Sequence, residues 1–315
     1  MTQVSTVLGP LDTAALGFTL MHEHIVTQSP GIRQNWPDVF DRDLAIKLGI
    51  ERLSEAKRAG VDTLVDLTTV DLGRDIPLIA EIVRAVNIQV VVATGVWRMI
   101  PRYFHLREPD TAADLFVRDI TQGIQGTEIK AGIIKCATDD TGLTEPVEKA
   151  LRASARAHRR TGVPISTHTD AIKQVGLDQQ RIFAEEGVDL SRVVIGHSGD
   201  TEDMDYLKKV ADRGSYLGMD RFGLDNYLPT DRRIKVIAAL CRAGYADRMV
   251  ISHDASCHSD SREPDYAAKK FPNWRYTHIP RDVIPALREA GVSQAQIDQM
   301  TQVNPRRIFE RVDPY

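Results

Sequence analysis

Val163-Pro164-Ile165-Ser166-Thr167-His168 and Val193-Val194-Ile195-Gly196-His197 are two short β-branched runs, each ending on a histidine, with a helix-period segment at 176–187 between them. Strand, helix, strand in this order reads as a parallel βαβ unit. The pattern extends in both directions. Further strands are expected at 19–25, 62–67, 89–95, 131–137, 215–221 and 249–254. Helical segments are expected at 42–59, 75–86, 110–124, 144–160, 202–213, 231–245 and 280–291. Eight strand–helix units predict an α/β chain folded as one (β/α)8 TIM barrel over residues 1–315, with an open doubly wound sheet as the alternative. Residues 1–18, with the turn signal Gly9-Pro10, predict a small hairpin covering one end. The loops after strands one, seven and eight are expected to be long, those at 26–41 and 255–278 above all, and to carry binding function.

Composition narrows the function. The 315 residues are 42% hydrophobic with a formal net charge of −4, enough for a large core and without a basic stripe. Nucleic acid and anionic membrane surfaces are therefore not expected as partners. Cys136, Cys241 and Cys257 show no C-x-x-C spacing, so a disulfide framework is not expected. Met1-Thr2-Gln3-Val4-Ser5 lacks the basic and apolar runs of a signal peptide, and a cytoplasmic protein is expected.

The strand ends carry the chemistry. In Thr19-Leu20-Met21-His22-Glu23-His24-Ile25, alternation puts His22 and His24 on one face and Glu23 on the other. His168, His197 and Asp254 also end strands, at the face where this fold places active sites. Lys135 lies within Ala131-Gly132-Ile133-Ile134-Lys135-Cys136-Ala137, an apolar strand that should be buried. A buried ammonium must be paired or lose its proton. Lys135 is thus either paired with a carboxylate or, as a neutral amine, carboxylated by CO2 to a carbamate able to bridge two cations. Lys130, the rival position, precedes the strand and is expected to face solvent. Four imidazoles, a carboxylate and a carbamate suit two divalent ions such as Zn, Co, Mn or Fe. Of the other histidines, His158 is expected at a helix surface and His253 on the side of strand eight away from Asp254.

At Leu20–His24, Ala131–Ala137, Ser166–Thr169, Gly176–Gly187, Ile195–Asp200, Gly218–Asp225 and Ile251–Asp254 the sequence resembles the phosphotriesterase family of the amidohydrolase superfamily. It resembles more closely the lactonase branch, the phosphotriesterase-like lactonases. The resemblance implies that His22, His24 and Asp254 hold a more buried ion and His168 and His197 a more exposed one. Carboxylated Lys135 and a nucleophilic hydroxide would bridge the pair, with Asp254 as general base and acid. Arg221 is typical of the lactonase branch; a salt bridge to Asp220 or Asp225 is its structural alternative. Trp97 stands where the lactonases usually have tyrosine and is similar to the phosphotriesterases proper. Trp97, Arg221, Tyr227 and Cys257 are the expected substrate-binding residues, and Trp274 and Tyr276 are candidates for pocket walls or simple packing. The implied activity is opening of N-acyl-homoserine lactones and other γ- and δ-lactones by a homodimer, with organophosphate triesters as side substrates or, alternatively, as the main ones.

Overall fold

Runs rich in valine and isoleucine lose most by staying in water, and each becomes a strand covered by helices. The structure, a computed structural model, describes residues 2–310 and 313–315. Met1 of the N-terminal stretch read above, and Arg311 and Val312 of the predicted 1–315 domain, lie outside the described residues. Strands β1 (Gln3–Thr6) and β2 (Gly9–Asp12) form the predicted antiparallel hairpin. There follow β3 (Thr19–Thr27), β4 (Thr63–Asp66), β5 (Gln89–Gly95), β6 (Ile133–Thr138), β7 (Ile165–Thr169), β8 (Val193–Ile195), β9 (Tyr216–Met219), β10 (Met249–Ile251) and β11 (Ser256–Ser259). They make one parallel sheet in the order β10-β9-β8-β7-β6-β5-β4-β3-β11. The sheet closes on itself. Asp254 N–H donates to the His22 carbonyl at 2.9 Å and His24 N–H to the Ala255 carbonyl at 2.8 Å. The fold is the (β/α)8 barrel, and the open sheet is excluded.

Strand eight is the point of difference. It is broken into β10 and β11, both running along β3, with Asp254 between them at φ 57°. The polar β11, Ser256-Cys257-His258-Ser259, carries no apolar alternation that would mark it as a strand. The expected helix at 280–291 begins as a widened turn over 279–283 and becomes regular only at Ile284–Glu289. Helical segments at Gln294–Asp298 and Asn304–Phe309 follow it and were not expected.

Inside the barrel, Met21, Val65, Val91, Ile133, Val194, Tyr216 and Val250 form a layer closed from below by Val4 and Leu16 of the N-terminal segment and by Ile308 and Phe309. This plug leaves the opposite end for the site. Helices begin where aspartates accept the first free amides: Asp41 from Leu44 N–H, Asp75 from Leu78 N–H, Asp203 from Tyr206 N–H. No helix among the described residues is long and apolar enough to cross a membrane.

Gly95 ends β5 at φ 110°, where an added Cβ would stand 1.9 Å from the Lys135 carbonyl oxygen. Gly95→Ala is expected to destabilise the chain by about 3 kcal/mol or more, combining left-handed strain with overpacking against backbone. Denaturant midpoints of the two proteins check this, and equal midpoints would contradict it.

Candidate metal centre

The histidines of β3 reach the barrel mouth through a local irregularity. Leu20 pairs with Leu64 and Glu23 with Asp66, so β3 carries one residue more than β4 between these points. Such a bulge resets the alternation. Met21 stays in the interior layer while His22 and His24 also enter the barrel. Glu23, as expected, turns to the other side.

The imidazole nitrogens are divided between two tasks. His24 Nε2 lies 3.1 Å and His22 Nε2 3.5 Å from Asp254 Oδ1. Three donor atoms of His22, His24 and Asp254 thus converge within coordination reach. His197 Nε2 and His168 Nδ1 meet at 2.9 Å to form a second group. The remaining nitrogens are held from behind. Asp220 takes His22 Nδ1 at 2.7 Å and His197 Nδ1 at 2.8 Å on its two oxygens. Thr68 Oγ1 takes His24 Nδ1 at 2.9 Å, and Asp139 Oδ2 stands 3.4 Å from His168 Nε2. Outer partners of this kind fix ring orientation and leave the inner lone pairs for a metal. His22, His197 and Asp220 also lie close enough to group around an ion, but Asp220 occupies the outer nitrogens. Gly218 makes room for it, since a Cβ there would be 2.7 Å from Asp220 Oδ2.

Protonation suits ligation. Burial lowers the pKa of His22, pushes that of His168 down to about 4 and carries that of His197 well below the ordinary value. The lowered values favour the neutral form that metal binding requires. Burial would raise the Asp254 carboxyl, but the facing imidazoles of His22, His24 and His197 and the Arg221 guanidinium outweigh it and hold it well below the carboxylate range.

Lys135 is 1% exposed. Its Nζ is 2.9 Å from His22 Nε2 and 3.2 Å from the Thr167 carbonyl. No carboxylate among the described residues pairs with it directly; the charges of Asp254 and Asp220 act on it from further off and oppose the effect of burial. Burial pushes its pKa down to about 8. Lys130 is exposed, as expected.

The cleft above these groups measures about 920 Å³ and is lined by Trp97, Arg221 and Tyr227 as well as by five of the six candidate ligand residues, all but His197. Trp97 Nε1–H points at His168 Nδ1 at 3.2 Å. Arg221 does not pair with Asp220 or Asp225. Its Nε donates to Asp254 Oδ2 at 3.2 Å, its Nη1 to Asp200 Oδ2 at 2.8 Å, and Tyr227 covers its face at 4.3 Å. Fully buried Arg233 continues the alternation of charge, 2.7 Å from Asp200 Oδ1. Trp274 lines the cleft, whereas Cys257 and Tyr276 are buried against each other at 3.2 Å and do not. The structure therefore does not bring Cys257 to the site. His158, expected at the surface, is buried and bonds the Val163 carbonyl at 2.8 Å. His253 lies on the side away from the cleft, as expected. Sequence reasoning missed Thr68, Asp139 and Asp220 as orienting groups. All three follow the ends of barrel strands, and that shared position was the available signal.

Fold and site together define a barrel hydrolase whose histidine and carboxylate donors fit divalent metal. Residues 2–309 match the model of the phosphotriesterase family. A phosphotriesterase homology protein of Mycobacterium tuberculosis is 53% identical over 325 residues, covering 100% of both chains. An aryldialkylphosphatase of Saccharolobus solfataricus is 44% identical over 303 residues, 95% of this chain and 96% of that one. The solved structure of the phosphotriesterase from Mycobacterium tuberculosis has a TM-score of 0.96 at 53% identity, covering 99% of this chain and 100% of the other. The chain belongs to the phosphotriesterase family.

Asp220 orients one ring from each group, so its removal should disturb both. Asp220→Ala is expected to lower metal affinity roughly 10–100-fold. Metal retained against a competing chelator measures this, and wild-type retention would show that the rings need no such support.

Proposed function

We propose that this hydrolase opens lactones, N-acyl-homoserine lactones first among them and other γ- and δ-lactones after, and that it hydrolyses organophosphate triesters as a side activity. The observation that carries the reading is the cleft itself. It ends on the convergent donors of His22, His24, His168 and Asp254, and its walls include apolar Met99, Ile172, Leu224, Phe271 and Trp274. A polar reacting end and an apolar corridor match a lactone ring bearing an acyl chain.

In this reading His22, His24 and Asp254 hold one divalent ion and His168 and His197 the other, each Zn, Co, Mn or Fe. Lys135, carboxylated by CO2, would complete the set of residues that hold them. The Lys135 pKa, pushed down to about 8 by burial, supports this, because only the neutral amine takes up CO2. When bound, the ions would supply acidified water and polarise the carbonyl or phosphoryl bond of the substrate, making its carbon or phosphorus more electrophilic. Asp254 accepts the proton released on attack and returns it to the leaving alkoxide. Arg221 holds the outer Asp254 oxygen in place, Tyr227 shields Arg221, and Trp97 walls the cleft beside His168. The ring opens to a hydroxy acid. We take the working form to be a cytoplasmic homodimer acting on small molecules, without nucleic-acid or membrane partners.

A second reading makes triester hydrolysis the main activity. Trp97 favours it, as do the names of the relatives, an aryldialkylphosphatase among them. Side-by-side kcat/KM values on an N-acyl-homoserine lactone and on paraoxon, at equal metal content, separate the two. We expect the lactone to lead by at least about tenfold, or 1.4 kcal/mol in transition-state stabilisation. A lead for paraoxon would reverse the order.

A further inference from the structure

We propose that Glu23, the residue between the two histidines of β3, is a positioning residue for Asp254. This rests on the metal-holding role given to Asp254 above. Three independent contacts point to it.

The first is the backbone of strand eight. Asp254 adopts φ 57°, a left-handed conformation uncommon outside glycine, though aspartate tolerates it better than most residues. The break lets β10 and β11 follow one edge of β3 while the Asp254 side chain turns toward the histidines.

The second is the Glu23 carboxylate, 0% exposed on the far side of that break. Its Oε1 accepts from Ser252 Oγ at 2.7 Å, His253 N–H at 3.0 Å and His253 Nδ1 at 2.7 Å. Its Oε2 accepts from Ala255 N–H at 2.9 Å. The two backbone amides flank Asp254 on either side, so one side chain brackets the kink. His253 Nε2 accepts from Ile279 N–H at 3.0 Å, which leaves the ring proton on Nδ1 to donate to Glu23.

The third is the opposing side. Trp274 Nε1–H is shared between the carbonyls of His253 at 2.9 Å and Asp254 at 3.1 Å. Asp254 N–H is taken by the His22 carbonyl. Among the described residues, Glu23 is the acceptor for both amides that flank the kink. Without it, two buried N–H groups would lack partners, and the break would be free to relax toward extended chain.

Glutamine tests the assignment with little change of shape. Three donors crowd Oε1 and one faces Oε2, so Glu23→Gln should keep its oxygen toward Ser252 and His253. Its NH2 would then oppose Ala255 N–H, opening one side of the bracket. Zinc affinity of the full chain is measured by chelator competition for wild type, Glu23→Gln, Asp254→Ala and the double variant. Glu23→Gln is expected to weaken one zinc equivalent at least tenfold, and to add no further loss in the Asp254→Ala background. Unchanged affinity in Glu23→Gln overturns the proposal. So does the same fold-loss in both backgrounds, which would mean that Glu23 acts on the fold at large. A wild-type chain that binds no zinc overturns it together with the reading of the site. If Glu23→Gln does not fold, Glu23→Asp, which withdraws both oxygens by one methylene, takes its place with the same two expectations.

Discussion

The strand that carries the first two histidines is also the strand on which the barrel closes. The amide of Asp254 reaches the carbonyl of His22, and the amide of His24 reaches the carbonyl of Ala255. A mispairing of strand eight with β3 would both open the barrel and separate Asp254 from the imidazoles. Closure and site assembly are therefore one event. The hairpin at the opposite end complements this. Its Val4 joins Leu16, Ile308 and Phe309 in filling the lower interior with apolar side chains, and the candidate ligands gather at the mouth.

Those polar groups are expensive to bury, and the structure answers by pairing them. Asp220 serves two rings; Asp254, Arg221, Asp200 and Arg233 alternate in sign from the cleft into the protein. Removing one partner from such an array leaves an uncompensated charge, which costs more than the pair contributes. Lys135 is the exception, a buried amine whose near neighbour is an imidazole, with the Asp254 and Asp220 charges acting on it only from further off. Its position makes sense for a lysine that gains negative oxygens by modification.

The fold and the six ligand candidates were legible in the sequence because both follow from strand periodicity. β-branched runs at regular spacing give a barrel, and polar residues at their carboxyl ends give the mouth. What escaped depends on approach between distant segments. Nothing local in Thr68, Asp139 or Asp220 tells which ring each will meet. The left-handed break at Asp254 hid β11, since a polar run after a ligand reads as loop. Proximity in sequence also misled: the salt bridge offered as the alternative for Arg221 points to its neighbours Asp220 and Asp225, while its partners Asp200 and Asp254 come from other strands' loops. Cys257 was drawn to the site by its closeness to Asp254, yet β11 alternates and turns it into the core with Tyr276.

A two-ion centre built on six side chains, one of them chemically modified, is open to anomalous diffraction at the zinc edge from crystals of the zinc-loaded chain. Two peaks are expected, one against His22, His24 and Asp254 and the other against His168 and His197, with density for a carbamate extending from Lys135 Nζ. A single peak, peaks elsewhere, or two ions beside an unmodified Lys135 amine would contradict it.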